Sequence, residues 1–284
     1  MMKFKQLKEI AVIGALALIA AQGANAQAIP KASYVESSGK FTIASTIYAP
    51  FAYVDSNGKR VGPSIELAEA AAKLLNATLV VDETPFTSLI PSLKAGRIKI
   101  AWLNATATAE RLQQVDFVAW IKEGTVVSTL PENKATYAKR TALCGRTVAV
   151  QSGTAADFSA DTLNAECKSS GLREFKKDIY PSQQETVQAV ISRRADAYLD
   201  DSTAAGYYSK VSNGRLVITG EGFNVKPVGH IIAKGDTETA KMVAGVMQAL
   251  IDNGTYLAIL NKWGMGFAAV DKAIVYTDAS QIQK

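Results

Sequence analysis

Apolar and polar positions along the chain divide it into alternating strands and helices. Phe41-Thr42-Ile43-Ala44-Ser45 reads as a strand and runs into the turn-rich Tyr48-Ala49-Pro50-Phe51. A second short strand and turn occupy residues 52–60, with Ser56-Asn57-Gly58 as punctuation. Gly62-Pro63-Ser64 then opens a helix. Its apolar positions Ile65, Ala68, Ala72 and Leu75 recur at helical spacing, and Asn76 closes it. A β-rich run returns at residues 78–81, and strand–helix–strand at this spacing predicts a parallel sheet.

The pattern continues with an apolar strand at 98–103, extended chain over 115–130, and a break at Pro131-Glu132-Asn133. A strand at 145–151 turns through Ser152-Gly153-Thr154 into a helix. A helix at 183–193, a strand at 195–201 and a return strand at 225–236 follow. Amphipathic helices and a polar tail from Asp278 complete the chain. The order implies an α/β protein of two lobes, with residues 27–130 and 224–284 in lobe one and 131–223 in lobe two. Because the chain leaves lobe one and returns, a two-strand hinge and rigid lobe closure are expected.

The first 26 residues are an address rather than part of this fold. Lys3, Lys5 and Lys8 form a positive region, an apolar run covers 10–21, and Ala24-Asn25-Ala26 is a cleavage pattern. Removal leaves 258 of 284 residues and takes about two positive charges from the net +5. The run is too short to span a membrane, and no later stretch approaches that length. Cysteine is missing from the cut, which argues against a lipid anchor. The expectation is a periplasmic protein that is monomeric and not membrane-embedded.

Basic residues are scattered rather than striped with aromatics, which argues against nucleic acid. Cys144 and Cys167 are the only cysteines, 23 positions apart, and an exported chain favours a disulfide between them. Metal binding is the rival reading, but His230 is the only histidine and there is no CxxC. No cofactor motif is present: GxSxG, Walker A and a flanked GxGxxG are all missing.

The candidate chemistry centres on Asn104-Ala105-Thr106-Ala107-Thr108-Ala109-Glu110-Arg111, read as a polar loop running into an arginine. Backbone N–H groups, a Thr hydroxyl and a planar guanidinium make a compact receptor for a carboxylate. Alternatively Arg111 decorates a helix start and pairs with Glu110 or Asp116. Together with the upstream Leu89-Ile90-Pro91-Ser92-Leu93-Lys94-Ala95-Gly96-Arg97 and the downstream Val115-Asp116-Phe117, this run resembles the extracellular solute-binding protein family 3. These are the polar amino-acid receptors of bacterial ABC importers.

The resemblance extends over nearly all of the mature chain. It implies that Arg111, Thr106, Thr154 and the Ala155 backbone hold an α-carboxylate. The phrase Val148-Ala149-Val150-Gln151-Ser152-Gly153-Thr154 supplies the second donor set, at a helix start that attracts anions. A plain N-cap by Thr154 is the alternative. Asp201 and the Asn104 carbonyl would hold the ammonium, with Asp200 beside them; a helix cap for Ser202 onward is the other use of Asp201. Tyr48 and Phe86 would cover the side chain, or else pack in the core. His230, near the second crossing, reads as a hinge or core residue.

Relatives often place Asp where Ser45 and Ser64 stand, and Gln151 can donate or accept. The expected ligand is therefore a free L-amino acid with a neutral polar or acidic side chain, rather than Lys, Arg or ornithine. Partners would be an inner-membrane permease and its ATPase. A cyclohexadienyl (prephenate/arogenate) dehydratase on the same fold is the alternative, and a sensor that presents ligand to a membrane receptor is compatible with the same site.

Overall fold

The computed structural model describes residues 29–282; the expected address segment lies outside these. The chain begins with α1 (Ser33–Ser38) and β1 (Lys40–Ser45), then a hairpin of β2 (Tyr53–Val54) and β3 (Arg60–Val61). It continues through α2 (Pro63–Leu74), β4 (Thr78–Glu83), α3 (Leu89–Lys94), β5 (Ile100–Thr106) and α4 (Ala109–Leu112) into the long β6 (Val115–Thr129). The second lobe holds β7 (Thr147–Gln151), α5 (Ala155–Ser169), β8 (Lys176–Tyr180), α6 (Gln183–Ile191), β9 (Ala197–Asp201) and α7 (Ser202–Val211). The return strand β10 (Val217–Ala233) leads to α8 (Thr237–Asp252), α9 (Thr255–Lys262) and β11 (Ala269–Tyr276).

Two α/β lobes are joined by β6 and β10, which pair antiparallel from Val115 against Ala233 to Thr129 against Val217. Because both strands run through both lobes, the lobes share one continuous sheet of order β4-β1-β5-β10-β6-β9-β7-β8, with β11 on β6. Parallel pairs form where a helix connects strands, as in β1–β4 and β7–β8, and the hinge strands pair antiparallel. Gly229 allows the hinge strands to approach: a Cβ there would lie 2.3 Å from the Val118 carbonyl oxygen.

Lobe one packs Phe41, Trp102, Trp120 and Val118 against α2, α8 and α9. On α8, Val243, Val246, Met247 and Leu250 form the buried stripe, and Asp236 caps the start by accepting from the Thr239 N–H at 3.1 Å. Lobe two has its own cores, one around Val148, Val150, Leu163 and Phe175, another around Val187, Val190 and Tyr198. Each large buried side chain contributes about 1.5–3 kcal/mol relative to exposure. Cys144 and Cys167 form a disulfide that ties the entry of lobe two to the end of α5.

Three sequence expectations shift. The strand expected at 98–103 occupies Ile100–Thr106, because Asn104 and Thr106 stay buried and Ala105 and Thr106 still pair with β10. The return strand starts earlier, at Val217, because ladder bonds to β6 continue along the crossing. The polar tail ends in a 3-10 turn, Ala279–Ile282, whose Ile282 packs into the core with Leu112 and Tyr276.

Candidate functional site

Strand ends deliver the polar groups to one place. The C-terminal end of β5 supplies Asn104, Ala105 and Thr106, and α4 follows at once, capped by Thr108 accepting from the Arg111 N–H at 3.3 Å. Arg111 is thereby fixed at the edge of lobe one. From lobe two come the start of α5 and the carboxyl end of β9. These edges meet around a narrow, partly open cavity lined by Thr46, Tyr48, Phe86, Leu103, Asn104, Ala105, Thr106, Arg111, Thr154, Ala155 and Asp201. Placement outside strand carboxyl ends is where open α/β sheets bind small molecules.

Arg111 is 5 % exposed and pairs with neither Glu110 nor Asp116. Its Nη1 donates to the Thr106 carbonyl at 2.8 Å and its Nη2 reaches across the cleft to the Gly153 carbonyl at 2.7 Å. Its guanidinium also lies 5.3 Å from the centre of the Phe86 ring. Asp116 is instead engaged by Lys234 at 3.0 Å. Burial pulls Arg111 down to about 10, with Asp201 and Glu110 acting the other way, so the side chain stays charged at neutral pH.

Gly153 makes the strand-to-helix turn with φ of 70°, a left-handed conformation suited to glycine. Thr154 lines the cavity, but its hydroxyl is already used. It accepts from the Asp157 N–H at 3.2 Å as the α5 cap and donates to the Gln151 carbonyl at 2.8 Å. The N-cap alternative therefore describes its side chain, and the Ala155 N–H, at the first turn of α5, is the donor open to an anion there.

The opposite wall is acidic. Asp201 stands at the N-cap position of α7 without a side-chain cap bond, so its carboxylate is not used on the helix. The Tyr48 hydroxyl donates to Asp200 Oδ1 at 2.5 Å and lies 3.1 Å from Asp201 Oδ2, bridging the lobes. Gln183 Nε2 holds the other Asp200 oxygen at 3.0 Å. Burial, then the neighbouring Asp201, raises Asp200 to about 7; burial raises Asp201 to about 6 against the pull of Tyr48 and Arg111. Burial and both aspartates push the Tyr48 phenol well above its usual range, so it remains a donor.

A third acid, Glu123, escaped the sequence reading. It is 3 % exposed on β6, accepts from the Thr203 N–H at 3.2 Å, and keeps one oxygen without a protein partner among the described residues. Burial first, then Asp201, pushes it well above the carboxylate range. The sequence places it in the extended chain over 115–130, and it is the crossing from lobe to lobe on β6 that buries it.

Ser45 and Gln151 do not join this cavity. Ser45 and Ser64 are fully buried, with hydroxyls that meet no protein partner among the described residues. Gln151 lines a neighbouring opening with Pro181 and Ser182. Asn104 does line the cavity, and its side-chain nitrogen is buried without a partner among the described residues. Tyr48 combines both readings made for it, because it lines the cavity and stacks on Phe51 at 6.0 Å. His230 sits in the lobe-one core between Trp102 and Trp120.

Known proteins are similar to this chain in sequence and fold. The chain is 27 % identical over 229 residues to the arginine-binding protein ArgT of Corynebacterium glutamicum, covering 80 % of this chain and 75 % of the relative. Among solved structures, an ancestral amino acid-binding protein described as a precursor of cyclohexadienyl dehydratase superposes with TM-score 0.74 and 29 % identity, covering 81 % of this chain and 97 % of that one. An ancestral arginine-binding protein bound to arginine gives TM-score 0.72 and 29 % identity over 79 % of this chain and 98 % of that one. The model of the bacterial extracellular solute-binding proteins, family 3, matches residues 41–266, and the chain belongs to that family.

Proposed function

We propose that this protein captures a free L-α-amino acid in the periplasm and hands it to an inner-membrane ABC permease and its ATPase, acting as a monomer and without chemistry. The observation that carries the reading is one cavity with a guanidinium on one wall and a carboxylate on the other. Arg111, the Thr106 hydroxyl and the Ala155 N–H hold the α-carboxylate, with Thr154 shaping that corner. Asp201 and the Asn104 carbonyl hold the α-ammonium. Tyr48 and Phe86 cover the side chain.

The side chain of the ligand is read from charge. Among the described residues Arg111 is the one cation lining the cavity, while Asp201 lines it and Asp200 stands behind, bonded to Tyr48. A zwitterion satisfies Arg111 and Asp201 and leaves the remaining acidity unopposed. A second carboxylate would add to it and a second cation would offset it. Ser45, Ser64 and Gln151, the basis for expecting a neutral polar or acidic side chain, lie outside the cavity. The proposal is therefore a basic side chain first, a neutral polar one second and an acidic one last. Binding of arginine by two of the similar proteins agrees with this order.

A thermal-shift screen of the twenty amino acids tests the proposal: a ligand at one hundred times its Kd stabilises by about 2.7 kcal/mol. The largest shifts are expected with arginine, lysine or histidine, and no shift with any amino acid overturns the reading. A second reading, dehydration of a cyclohexadienyl acid, is supported by the raised pKa of Asp200 and Glu123, since a proton-bearing carboxyl is what a general acid needs. Phenylpyruvate appearing from added prephenate would establish it.

A further inference from the structure

The pairing of β5 with β10 loses register directly behind the cavity. Gly229 faces Ala105 and Ile231 faces Ala101, so Trp102, Leu103 and Asn104 stand against the single β10 residue His230. A bulge of this kind re-aims the strand that carries it. The strand re-aimed here is the one whose residues Leu103, Asn104, Ala105 and Thr106 line the cavity.

The Leu103 carbonyl inside the bulge is held by two side chains. Trp120 Nε1–H donates to it at 3.2 Å, and His230 Nδ1 lies 3.1 Å from it. A carbonyl only accepts, so the proton of the neutral imidazole is on Nδ1. The ring is fully buried and stacks on Trp102 at 3.7 Å and 13°, with Trp120 at 5.6 Å on a nearly parallel plane. Trp102 is anchored in turn by Nε1–H to the Ser64 carbonyl at 2.8 Å. The second ring nitrogen, Nε2, is buried with no protein partner among the described residues. Pure packing is served better by a phenyl ring, which carries no unpaired polar atom into the core. The feature of histidine that this position uses is its Nδ1–H.

We propose that His230 is a positioning residue for the binding site. By donating to the Leu103 carbonyl it holds the β5 bulge that aims Leu103, Asn104, Ala105 and Thr106 into the cavity. The inference rests on reading that cavity as an amino-acid site.

The test compares wild type with His230→Phe, which keeps the stacked ring without the donor, and His230→Asn, which keeps a donor near the Nδ1 position. Hydrogen exchange is followed in the protein without added ligand. Equilibrium dialysis against an equimolar mixture of the twenty L-amino acids gives the total captured. His230→Phe is expected to fold, to exchange faster over residues 100–106 with 147–151 unchanged, and to bind about tenfold more weakly. His230→Asn is expected to recover most of both. Wild-type behaviour of His230→Phe in exchange overturns the proposal. So do equal defects in both variants spread across lobe one, which would show a core role only. A wild type that captures nothing refutes the amino-acid reading, and the exchange comparison still decides whether His230 holds the bulge.

Discussion

Replacing Arg111 with alanine removes the cation that lines the cavity, and its cost follows from the geometry. The guanidinium is buried and charged, and both of its donors are aimed, one at Thr106 and one across the cleft at Gly153. Truncating one member of a buried, hydrogen-bonded charge pair costs about 3–5 kcal/mol. At about 1.4 kcal/mol per decade, Arg111→Ala should raise the Kd for L-arginine by roughly two to three and a half decades. Arg111→Lys keeps the charge but loses the planar fork, so it should fall between the two. The free protein should be little affected, because relief of a desolvated charge offsets the loss of two bonds to carbonyls at the cleft. Isothermal titration measures the first effect and thermal melting the second. An Arg111→Ala protein within threefold of wild-type affinity would falsify the assignment of the carboxylate pole.

Three further outcomes follow from other parts of the structure. Tyr48→Phe keeps the ring but removes the hydroxyl bonded to Asp200 and Asp201, at about 1–3 kcal/mol to the closed form. Small-angle scattering without ligand should then show a more open protein, and an unchanged profile would remove Tyr48 as a latch. Reducing Cys144–Cys167, which closes a separation of 23 residues, should cost about 3 kcal/mol of stability and leave ligand affinity nearly constant once the fold is intact. A melting temperature insensitive to reductant would contradict this. Titration gives opposite signs for binding and folding. Asp201 and Asp200 have folded pKa values raised to about 6 and 7, so the ligand-free fold binds their protons more tightly than the unfolded chain does. Stability from these groups grows as pH falls through that window and is lost as pH rises, whereas a cationic ligand needs them ionised and binds more weakly below about pH 6. Affinity and ligand-free stability moving in the same direction between pH 8 and 5 would refute the linkage.

What could be read in the sequence was set by local patterns. The spacing of Ile65, Ala68, Ala72 and Leu75 specified α2 because its buried stripe faces one layer. Arg111, Thr106, Asp201 and Tyr48 were nominated by resemblance to family motifs at strand ends, and the structure brings all four to one cavity. Ser45 and Gln151 do not line that cavity, since a strand end turns successive side chains to opposite faces and a register is needed to say which. Asn104 to Thr106 looked like a loop because buried polar residues resemble turn residues until their ladder partners are known. The shared sheet, the burial of Glu123 and the bulge at His230 all depend on β10 pairing with β6 and with β5 over long separations. No local window carries that information.

The central claim is that the cavity takes a zwitterion and prefers one with a further positive charge. Titration of the wild-type protein with L-arginine, L-glutamine and L-glutamate under one set of conditions at pH 7.5 tests it most directly. One-to-one binding with arginine tightest, glutamine weaker and glutamate weakest is the predicted order. Glutamate binding tightest would contradict the charge argument, and heat from none of the three would contradict the account of the site itself.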